Sequence, residues 1–188
     1  MKKIMEFFSQ NFKEDSKKCT ELADIVNKNF NKKFWNSSYL DDCLGDKTIR
    51  PNQLFAISLD FDVLDKDKRK DVLSIVIKHL LTDHGLRTLS DTDKNYHGVY
   101  SGNQRERDIS YHQGTVWPWL WGILIRSWVK TTGNDKTIKK GLESFVKKEI
   151  MRFGLGTISE IIDGDKPFES KGCVSQAWSI GEILASLF

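Results

Sequence analysis

One run of residues, 111–122, combines side chains suited to binding a sugar. It reads Tyr-His-Gln-Gly-Thr-Val-Trp-Pro-Trp-Leu-Trp-Gly and places three tryptophans at alternating positions. Trp and Tyr present broad flat faces with a polar edge, and His and Gln supply directed hydrogen bonds. Because a sugar is apolar on its ring faces and hydroxylated around its rim, this mixture predicts a carbohydrate-binding surface. We expect Trp117 and Trp119, at the start of an apolar helix, to be free to face the ligand.

The best candidate for a catalytic group is Glu160, in a short segment (156–165) with glycines near both ends. Inverting glycoside hydrolysis needs an acid to protonate the leaving oxygen and a carboxylate to activate water, about 6.5–9.5 Å apart. Glu160 suits the second role, although spacing alone is more typical of a solvated loop glutamate. No second carboxylate in the chain stands out as its partner.

A metal site in the same segment is disfavoured. Asp163 and Asp165 are separated by one glycine, but the spacing of oxygen ligands typical of a calcium loop is absent. We therefore expect no metal and no cofactor.

The composition is that of one soluble globular domain. The 188 residues are 39% hydrophobic and 29% charged, and the net charge is +3 with opposite charges interleaved. This pattern argues against nucleic acid or a membrane surface as a partner. With no apolar stretch long enough to span a membrane and no signal peptide, we predict a cytoplasmic chain. Cys19, Cys43 and Cys173 are odd in number and widely spaced, which predicts free buried thiols.

Helices are predicted to position these residues. Apolar residues recur every three or four positions in six segments, which are 4–12, 22–34, 66–81, 117–128, 138–150 and 173–188. The last segment is expected to face inward with four apolar residues, Ala177, Ile180, Leu184 and Leu187. No strand pairs emerge. The fold class predicted is therefore all-α, built of helical hairpins with long loops in layers or in a toroid.

Several local signals are expected to end helices or to shape loops. Residues 13–15, Lys-Glu-Asp, should break the first two helices apart, and Gly85 should end the helix over 66–81 in the left-handed conformation. Residues 86–115 show no periodicity and are interpreted as an ordered functional loop, because a disordered one would expose many aromatic rings. The charged residues 105–108 are expected to pin that loop with internal ion pairs.

A polar cluster, Arg50, Asn52 and Gln53, surrounds Pro51 at the start of a short apolar helix over 54–59. Proline suits the first turn of a helix, where its missing N–H is not needed. The cluster is either a capping group that ties down loops or part of a ligand site, and the pattern leaves both readings open.

Five short motifs occur together in order along the chain. They are Ile-Arg-Pro-Asn-Gln (49–53), Gly-Leu-Arg-Thr-Leu (85–89), Tyr-His-Gln-Gly-Thr-Val-Trp-Pro-Trp (111–119), Gly-Thr-Ile-Ser-Glu (156–160) and Gln-Ala-Trp-Ser (176–179). With them the chain resembles, over nearly its whole length, the C-terminal part of the glucosidase domain of glycogen debranching enzymes of the bacterial and archaeal type.

The resemblance implies a partial (α/α)6 toroid and an inverting amylo-α-1,6-glucosidase activity on the branch-point glucose of glycogen. Glu160 matches the general base of that family. Substrate contacts are implied for ten further side chains, which are Arg50, Asn52, Gln53, Arg87, His112, Gln113, Trp117, Trp119, Gln176 and Trp178. Of these, Gln176 and Trp178 match a motif beside the base and either bind sugar or support the base.

One departure from the family is large. Its general acid is an aspartate in a Trp-Met-Asp-type segment upstream of anything in this chain. The resemblance therefore implies that residues 1–188 are the C-terminal portion of the toroid domain with its N-terminal half absent, and that residues 1–12 are half of a hairpin. We expect the isolated chain to be inactive or nearly so. The expected partners are a branched α-glucan and either the missing half of the toroid or a second copy of the chain.

Two other functions stay open at this point. One is a non-catalytic glucan-binding module in which Glu160 is incidental. The other is a fragment of a different toroid glycosidase, trehalase-like or glucoamylase-like. The Arg-Pro-Asn-Gln motif and the aromatic run favour debranching.

Overall fold

The computed structural model describes the backbone of residues 13–187 and the side chains of residues 17–187. The helix expected over 4–12, with its half-hairpin interpretation, lies outside these residues. The α-helices are α1 (Lys13–Lys33), α2 (Phe55–Ser58), α3 (Arg69–Leu80), α4 (Gln104–Ser110), α5 (Leu120–Thr132), α6 (Lys136–Glu149) and α7 (Ala177–Leu187). Turns of 3₁₀ helix precede α2 (Pro51–Leu54) and α3 (Lys66–Lys68). The strands are β1 (Leu81–Thr82), β2 (Gly85–Leu86), β3 (Ile161–Ile162) and β4 (Ser170–Lys171).

The helix α5 lies at the centre of the described fold. It packs against α2, α3, α6 and α7, and Trp121 and Leu124 on its inner face are 2% and 0% exposed. Gly133 ends the helix in the left-handed conformation, with φ of +70°. The sequence prediction for this helix, including its buried stripe and its C-terminal glycine, is confirmed. The aromatic run 111–122 leads into the start of α5, next to the site described below.

The expectation of no strand pairs is wrong in detail. β1 pairs with β2 and β3 pairs with β4, both antiparallel, and Val116 forms bridges with Arg87 and with Ile162. The Val116 and Ile162 backbones exchange hydrogen bonds of 2.8 and 2.9 Å. Strands of two residues are too short to show the period-2 alternation by which strands are detected. Their effect is large because they join the aromatic run to the segment that carries Glu160.

The interpretation of residues 86–115 as a loop without helix or strand is also corrected. α4 lies within it and begins with a capping box, in which Asn103 Oδ1 accepts from the Glu106 N–H at 3.1 Å and Glu106 Oε2 accepts from the Asn103 N–H at 2.7 Å. Arg107 donates to the Gly102 carbonyl at 2.7 Å. Glu106 and Arg107 therefore bind the backbone at a helix start instead of pinning the loop with ion pairs.

Two helix boundaries differ from the prediction. Residues 13–15 already belong to α1, so the helix expected over 22–34 starts earlier than predicted, and the expected break from the helix over 4–12 falls at residues outside the described range. α3 ends at Leu80, and Gly85 lies in the following hairpin with φ of +127°, where an added Cβ would lie 3.1 Å from Trp121 Nε1. Glycine is favoured at position 85 because the Trp121 indole packs closely against it, and not because it caps a helix.

The buried faces of α1 and α7 differ from those expected. Phe30 of α1 stacks on Phe34, which follows the helix, at 5.1 Å, but Leu22, Ile25 and Val26 on α1 are exposed. α7 buries Ser179, Ile183 and Ser186, whereas Ala177 and Leu184, expected to face inward, are exposed. Periodicity identifies apolar faces, but it does not say which face meets a neighbour.

The three cysteines are free thiols, but Cys43 and Cys173 are exposed and Cys19 is half-buried, which corrects the expectation of buried thiols. Across residues 13–187, no helix has both the length and the apolar character needed to cross a bilayer.

Candidate active site

The carboxylate of Glu160 is held by three hydrogen bonds. Its Oε1 accepts from the Tyr111 hydroxyl at 2.6 Å and from Gln176 Nε2 at 3.2 Å. Its Oε2 accepts from the Cys173 N–H at 3.0 Å. The Glu160 N–H donates to the Cys173 carbonyl at 2.9 Å, which continues the β3–β4 pairing and fixes the backbone beneath the side chain. The aromatic run, the β3–β4 hairpin and the start of α7 therefore converge on one carboxylate.

These contacts determine the charge of Glu160. Burial alone acts to raise the pKa of its carboxyl, but the hydrogen bonds from Tyr111, Cys173 and Gln176 together outweigh it. The pKa of Glu160 therefore lies below its usual value. Hydrogen bonds to the charged form favour ionisation. At neutral pH the group is an oriented carboxylate, ready to accept a proton rather than to donate one.

Tyr111 is the first residue of the run 111–122, but the sequence does not predict it as a site residue. Burial, and then its bond to Glu160, raises the pKa of its phenol. The hydroxyl therefore stays protonated and donates to Oε1. The Tyr111 ring contacts Trp117 edge-on at 4.7 Å, and its carbonyl accepts from Trp117 Nε1 at 3.0 Å. The available signal was its place at the head of the run, next to His112.

Gly172 is a second residue that the sequence reasoning missed. Its φ is +69°, and an added Cβ would lie 2.4 Å from Glu160 Oε2. The absence of a side chain here leaves room for the carboxylate. Gly172 and Cys173 both contact Glu160, so the segment between β4 and α7 is part of the candidate site.

The aromatic residues form one stacked cluster beside Glu160. His112 stacks on Trp117 at 5.3 Å, and Trp178 contacts Trp117 at 5.8 Å and stacks on Trp119 at 5.7 Å. Trp117 is only 4% exposed, so the expectation that its ring is free to face a ligand is wrong. Its indole is covered by the rings of His112, Tyr111 and Trp178. The aromatic surface open to a ligand is supplied by His112, Trp119 and Trp178, of which Trp178 is 49% exposed.

Arg50 joins this surface to the neighbouring loops. Its guanidinium donates to Gln113 Oε1 and to the His112 carbonyl, both at 2.7 Å, and to the Thr88 carbonyl at 3.0 Å. Burial, with a smaller contribution from Arg50, lowers the pKa of His112, which favours a neutral imidazole. Asn52 lies nearby and donates to Asp42 Oδ1 at 2.8 Å. Arg50, Gln113 and His112 thus lie together.

Two predicted substrate contacts point elsewhere in this structure. Gln53 is 6% exposed, donates to the Arg50 carbonyl at 3.0 Å and accepts from the Leu40 N–H at 3.4 Å. Arg87 donates to the Gly164 carbonyl and to Asp91, both at 2.9 Å. Both side chains fasten loops, and for Gln53 this fits the capping alternative left open for the polar cluster around Pro51.

A groove of about 700 Å³ opens next to Glu160. Gly172, which lies against the Glu160 carboxylate, forms part of its wall. Aromatic, hydroxyl and charged residues form its walls, namely Tyr100, Ser101, Arg107, Arg152, Phe153, Glu169, Ser170 and Lys171. No sequence motif pointed to this groove. It lies along β4 of the β3–β4 hairpin.

The two aspartates considered for calcium have structural partners. Asp163 Oδ1 accepts from the Tyr100 N–H and Asp165 Oδ1 from the Tyr96 hydroxyl, both at 2.8 Å. Burial raises the pKa of Asp163. Both carboxylates hold the loop over 96–100 against the segment that follows β3.

Replacing Tyr111 with phenylalanine should raise the pKa of Glu160, because it removes the shortest hydrogen bond to the carboxylate. In the native chain the folded pKa of Glu160 is below its unfolded value. Ionised Glu160 therefore stabilises the fold above the unfolded pKa, and this stabilisation is lost as pH falls through the folded pKa. In Tyr111→Phe this stabilisation should be smaller, and its loss should be complete at a higher pH. The measurement is the ¹³C shift of the Glu160 carboxyl against pH.

Tyr39→Phe, which removes a hydroxyl bonded to the Lys47 carbonyl, is the control. Equal pKa values of Glu160 in both variants would contradict the role given to Tyr111.

Comparison with known proteins places this site in a family. Residues 1–185 match the family described as amylo-alpha-1,6-glucosidase. The glycogen debranching enzyme of Saccharomyces cerevisiae is 28% identical over 88 residues, which cover 44% of this chain and 6% of the yeast protein. The neutral trehalase Nth1 of Saccharomyces cerevisiae has a similar structure, with a TM-score of 0.67 and 13% identity, over 96% of this chain and 34% of that one.

The structural match confirms the predicted fold class, a partial (α/α)6 toroid. The chain spans about a third of the trehalase chain and a small fraction of the yeast debranching enzyme. The family match covers nearly the whole sequence and all five motifs. The chain belongs to the amylo-α-1,6-glucosidase family of glycoside hydrolases.

Proposed function

We propose that Glu160 is the general base of an inverting glucosidase that hydrolyses α-1,6-linked glucose at the branch points of a branched α-glucan. The observation that carries the proposal is the ionised carboxylate, oriented by three hydrogen bonds beside an aromatic surface. An inverting base must be deprotonated before the reaction and must point at a water on the face opposite the leaving group. Glu160 meets the first requirement at neutral pH.

The acceptor positions of the carboxylate suggest where that water binds. Each carboxylate oxygen can accept two hydrogen bonds. Tyr111 and Gln176 occupy those of Oε1, and Oε2 accepts from the Cys173 N–H. The Cys173 thiol also contributes a hydrogen bond to the carboxylate that lowers the pKa of Glu160. The proposed attacking water takes the place of that thiol at Oε2.

The aromatic cluster supports a glucosyl unit in this proposal. Trp178, which is 49% exposed, offers a ring face for the apolar side of a pyranose, and Trp119 stacks against it. His112, Gln113 and Asn52 supply donors and acceptors for hydroxyl groups at the edge of the same surface. Arg50 acts mainly by holding Gln113 and the backbone of His112 in place.

We infer that the general acid comes from helices outside this chain. The resemblance puts the general acid of the family upstream of the five motifs, and the chain spans about a third of the trehalase chain that it resembles in fold. In this proposal residues 1–188 are the C-terminal portion of a cytoplasmic debranching glucosidase domain. Its partners are the branched glucan and the acid-bearing half of the toroid, or a second copy covering the exposed helix faces. A base without its acid loses assistance worth about 10²–10⁴-fold in rate.

The test is to measure binding and release with the same chain. We expect a maltooligosaccharide titration to show binding and a branched limit dextrin to release almost no glucose. Trp178→Ala should weaken binding, whereas Trp35→Ala, at a ring away from the cluster, should not. Release at an enzyme-like rate would contradict the external acid, and binding unaffected by Trp178→Ala would contradict the sugar surface.

A further inference from the structure

A buried carboxyl group lies directly behind the candidate base. Glu149 is the last residue of α6 and is 1% exposed. Its Oε1 accepts from the hydroxyls of Ser159 at 2.9 Å and Ser170 at 2.5 Å. Charged and polar side chains are rarely buried to this degree without a specific partner. Both partners of Glu149 belong to the segments that build the site.

The two serines lie on opposite sides of the hairpin that holds Glu160. Ser159 immediately precedes Glu160. Ser170 is in β4, two residues before Gly172 and three before Cys173, whose N–H binds Glu160 Oε2. Glu149 therefore acts as a clamp that joins the segment before β3, which carries Glu160, to β4, which leads to one of the hydrogen-bond donors of Glu160.

The same clamp reaches the third element of the site. The Ser179 hydroxyl, in the first turn of α7, donates to the Ser159 carbonyl at 3.1 Å. α7 follows directly on Gln176, the other side chain that binds Glu160. One buried network thus connects α6, the β3–β4 hairpin and the start of α7.

Burying this carboxyl group costs free energy, and a residue that only filled the space would avoid that cost. Among the described residues, Glu149 Oε2 is buried without a hydrogen-bond partner. An unsatisfied buried polar atom costs free energy, and an apolar side chain of similar volume fills such a space without that cost. What the carboxyl adds over an apolar residue is its pair of bonds to Ser159 and Ser170.

We propose that Glu149 is a positioning residue that holds the β3–β4 hairpin so that Tyr111, Cys173 and Gln176 all reach the Glu160 carboxylate. Its importance for catalysis rests on the proposed function of Glu160, but its effect on the geometry of Glu160 does not. Glu149 itself touches no substrate.

The test reads the protonation of Glu160 in folded chains. Glu149→Ala should raise the pKa of Glu160 toward that of an ordinary glutamate, because the loosened hairpin loses hydrogen bonds to the carboxylate. Removing a negative charge near Glu160 would by itself change the pKa of Glu160 in the opposite direction and lower it. A rise therefore cannot come from the lost charge. The measurement is the carboxyl ¹³C shift against pH, with Glu160→Gln to identify the signal.

Three further variants complete the design. Glu149→Gln keeps an oxygen that accepts from both serines, so it should leave the pKa of Glu160 low. Glu143→Ala removes an exposed carboxylate from the same helix and should have no effect. Ser170→Ala removes one bond of the clamp and should shift the pKa in the same direction as Glu149→Ala, which decides the matter if Glu149→Ala does not fold. An unchanged Glu160 pKa in folded Glu149→Ala, or in Ser170→Ala when only that variant folds, would overturn the proposal.

The outcomes separate this inference from the proposed function. If Glu160→Gln leaves turnover intact, Glu160 is not the base, but the pKa measurements still test the clamp. If the clamp variants leave Glu160 unaffected, the positioning role fails and the catalytic role of Glu160 is untouched.

Discussion

Replacing Glu160 with glutamine is expected to lower glucose release from a branched limit dextrin by about 10²–10⁴-fold, the usual contribution of a general base. Glutamine has nearly the same shape, and its carbonyl oxygen still accepts from Tyr111. It cannot take a proton from water. Oligosaccharide binding should therefore persist while turnover is lost. The assay requires the chain to be joined to, or mixed with, a segment that supplies the general acid.

Glu169→Gln is the matched control for this experiment. Glu169 lies just before β4, is exposed and pairs with Lys171 at 2.6 Å. It carries the same charge on the same hairpin but does not contact the Tyr111–Glu160 pair. Turnover should be nearly unchanged in this variant. Equal turnover in Glu160→Gln and the native assembly would favour the non-catalytic glucan-binding module and remove the catalytic interpretation.

Replacing Gly172 with alanine is expected to damage the site and the fold together. The added Cβ would lie 2.4 Å from Glu160 Oε2 and 3.1 Å from Glu160 Cβ, so the carboxylate or the hairpin must move. The left-handed backbone at φ of +69° adds a cost of about 1–2 kcal/mol for a residue with a side chain. We expect lower unfolding free energy, a raised pKa for Glu160 and loss of turnover in the assembled enzyme.

Gly156→Ala separates the two causes. Gly156 has a similar φ of +74°, but an added Cβ there meets nothing within 4 Å. This variant should lose a similar amount of stability to the backbone alone, while the pKa of Glu160 stays low. Chemical denaturation and the carboxyl titration measure the two effects independently. If Gly172→Ala behaves like Gly156→Ala in both, the close approach of Gly172 to the carboxylate has no functional weight.

Local chemistry accounts for what the sequence determined about this protein. α5 and its ending at Gly133 follow from apolar periodicity and from the conformational freedom of glycine, which are properties of a few adjacent residues. The turn at Pro51 follows in the same way. The five ordered motifs identified the family, and Glu160 could be selected as a base because one of those motifs contains it.

Only the tertiary structure decided which of these residues meet. Trp117 is apolar in any context, but its burial depends on His112, Tyr111 and Trp178 arriving around it. The inward face of α7 depends in the same way on the packing of α5. Both choices are made by neighbours far away in the chain.

The support of the base is the clearest case of such long-range dependence. Tyr111 is 49 residues from Glu160, and Glu149 binds Ser170 across 21 residues. Two-residue strands and a turn that requires glycine bring these groups into contact, and neither leaves a periodic signal. The sequence by itself therefore determined most of the helices and the choice of Glu160 as the proposed base. The tertiary structure decided the charge of Glu160, its orientation and its buried support, because those depend on hydrogen bonds between segments that only folding brings together.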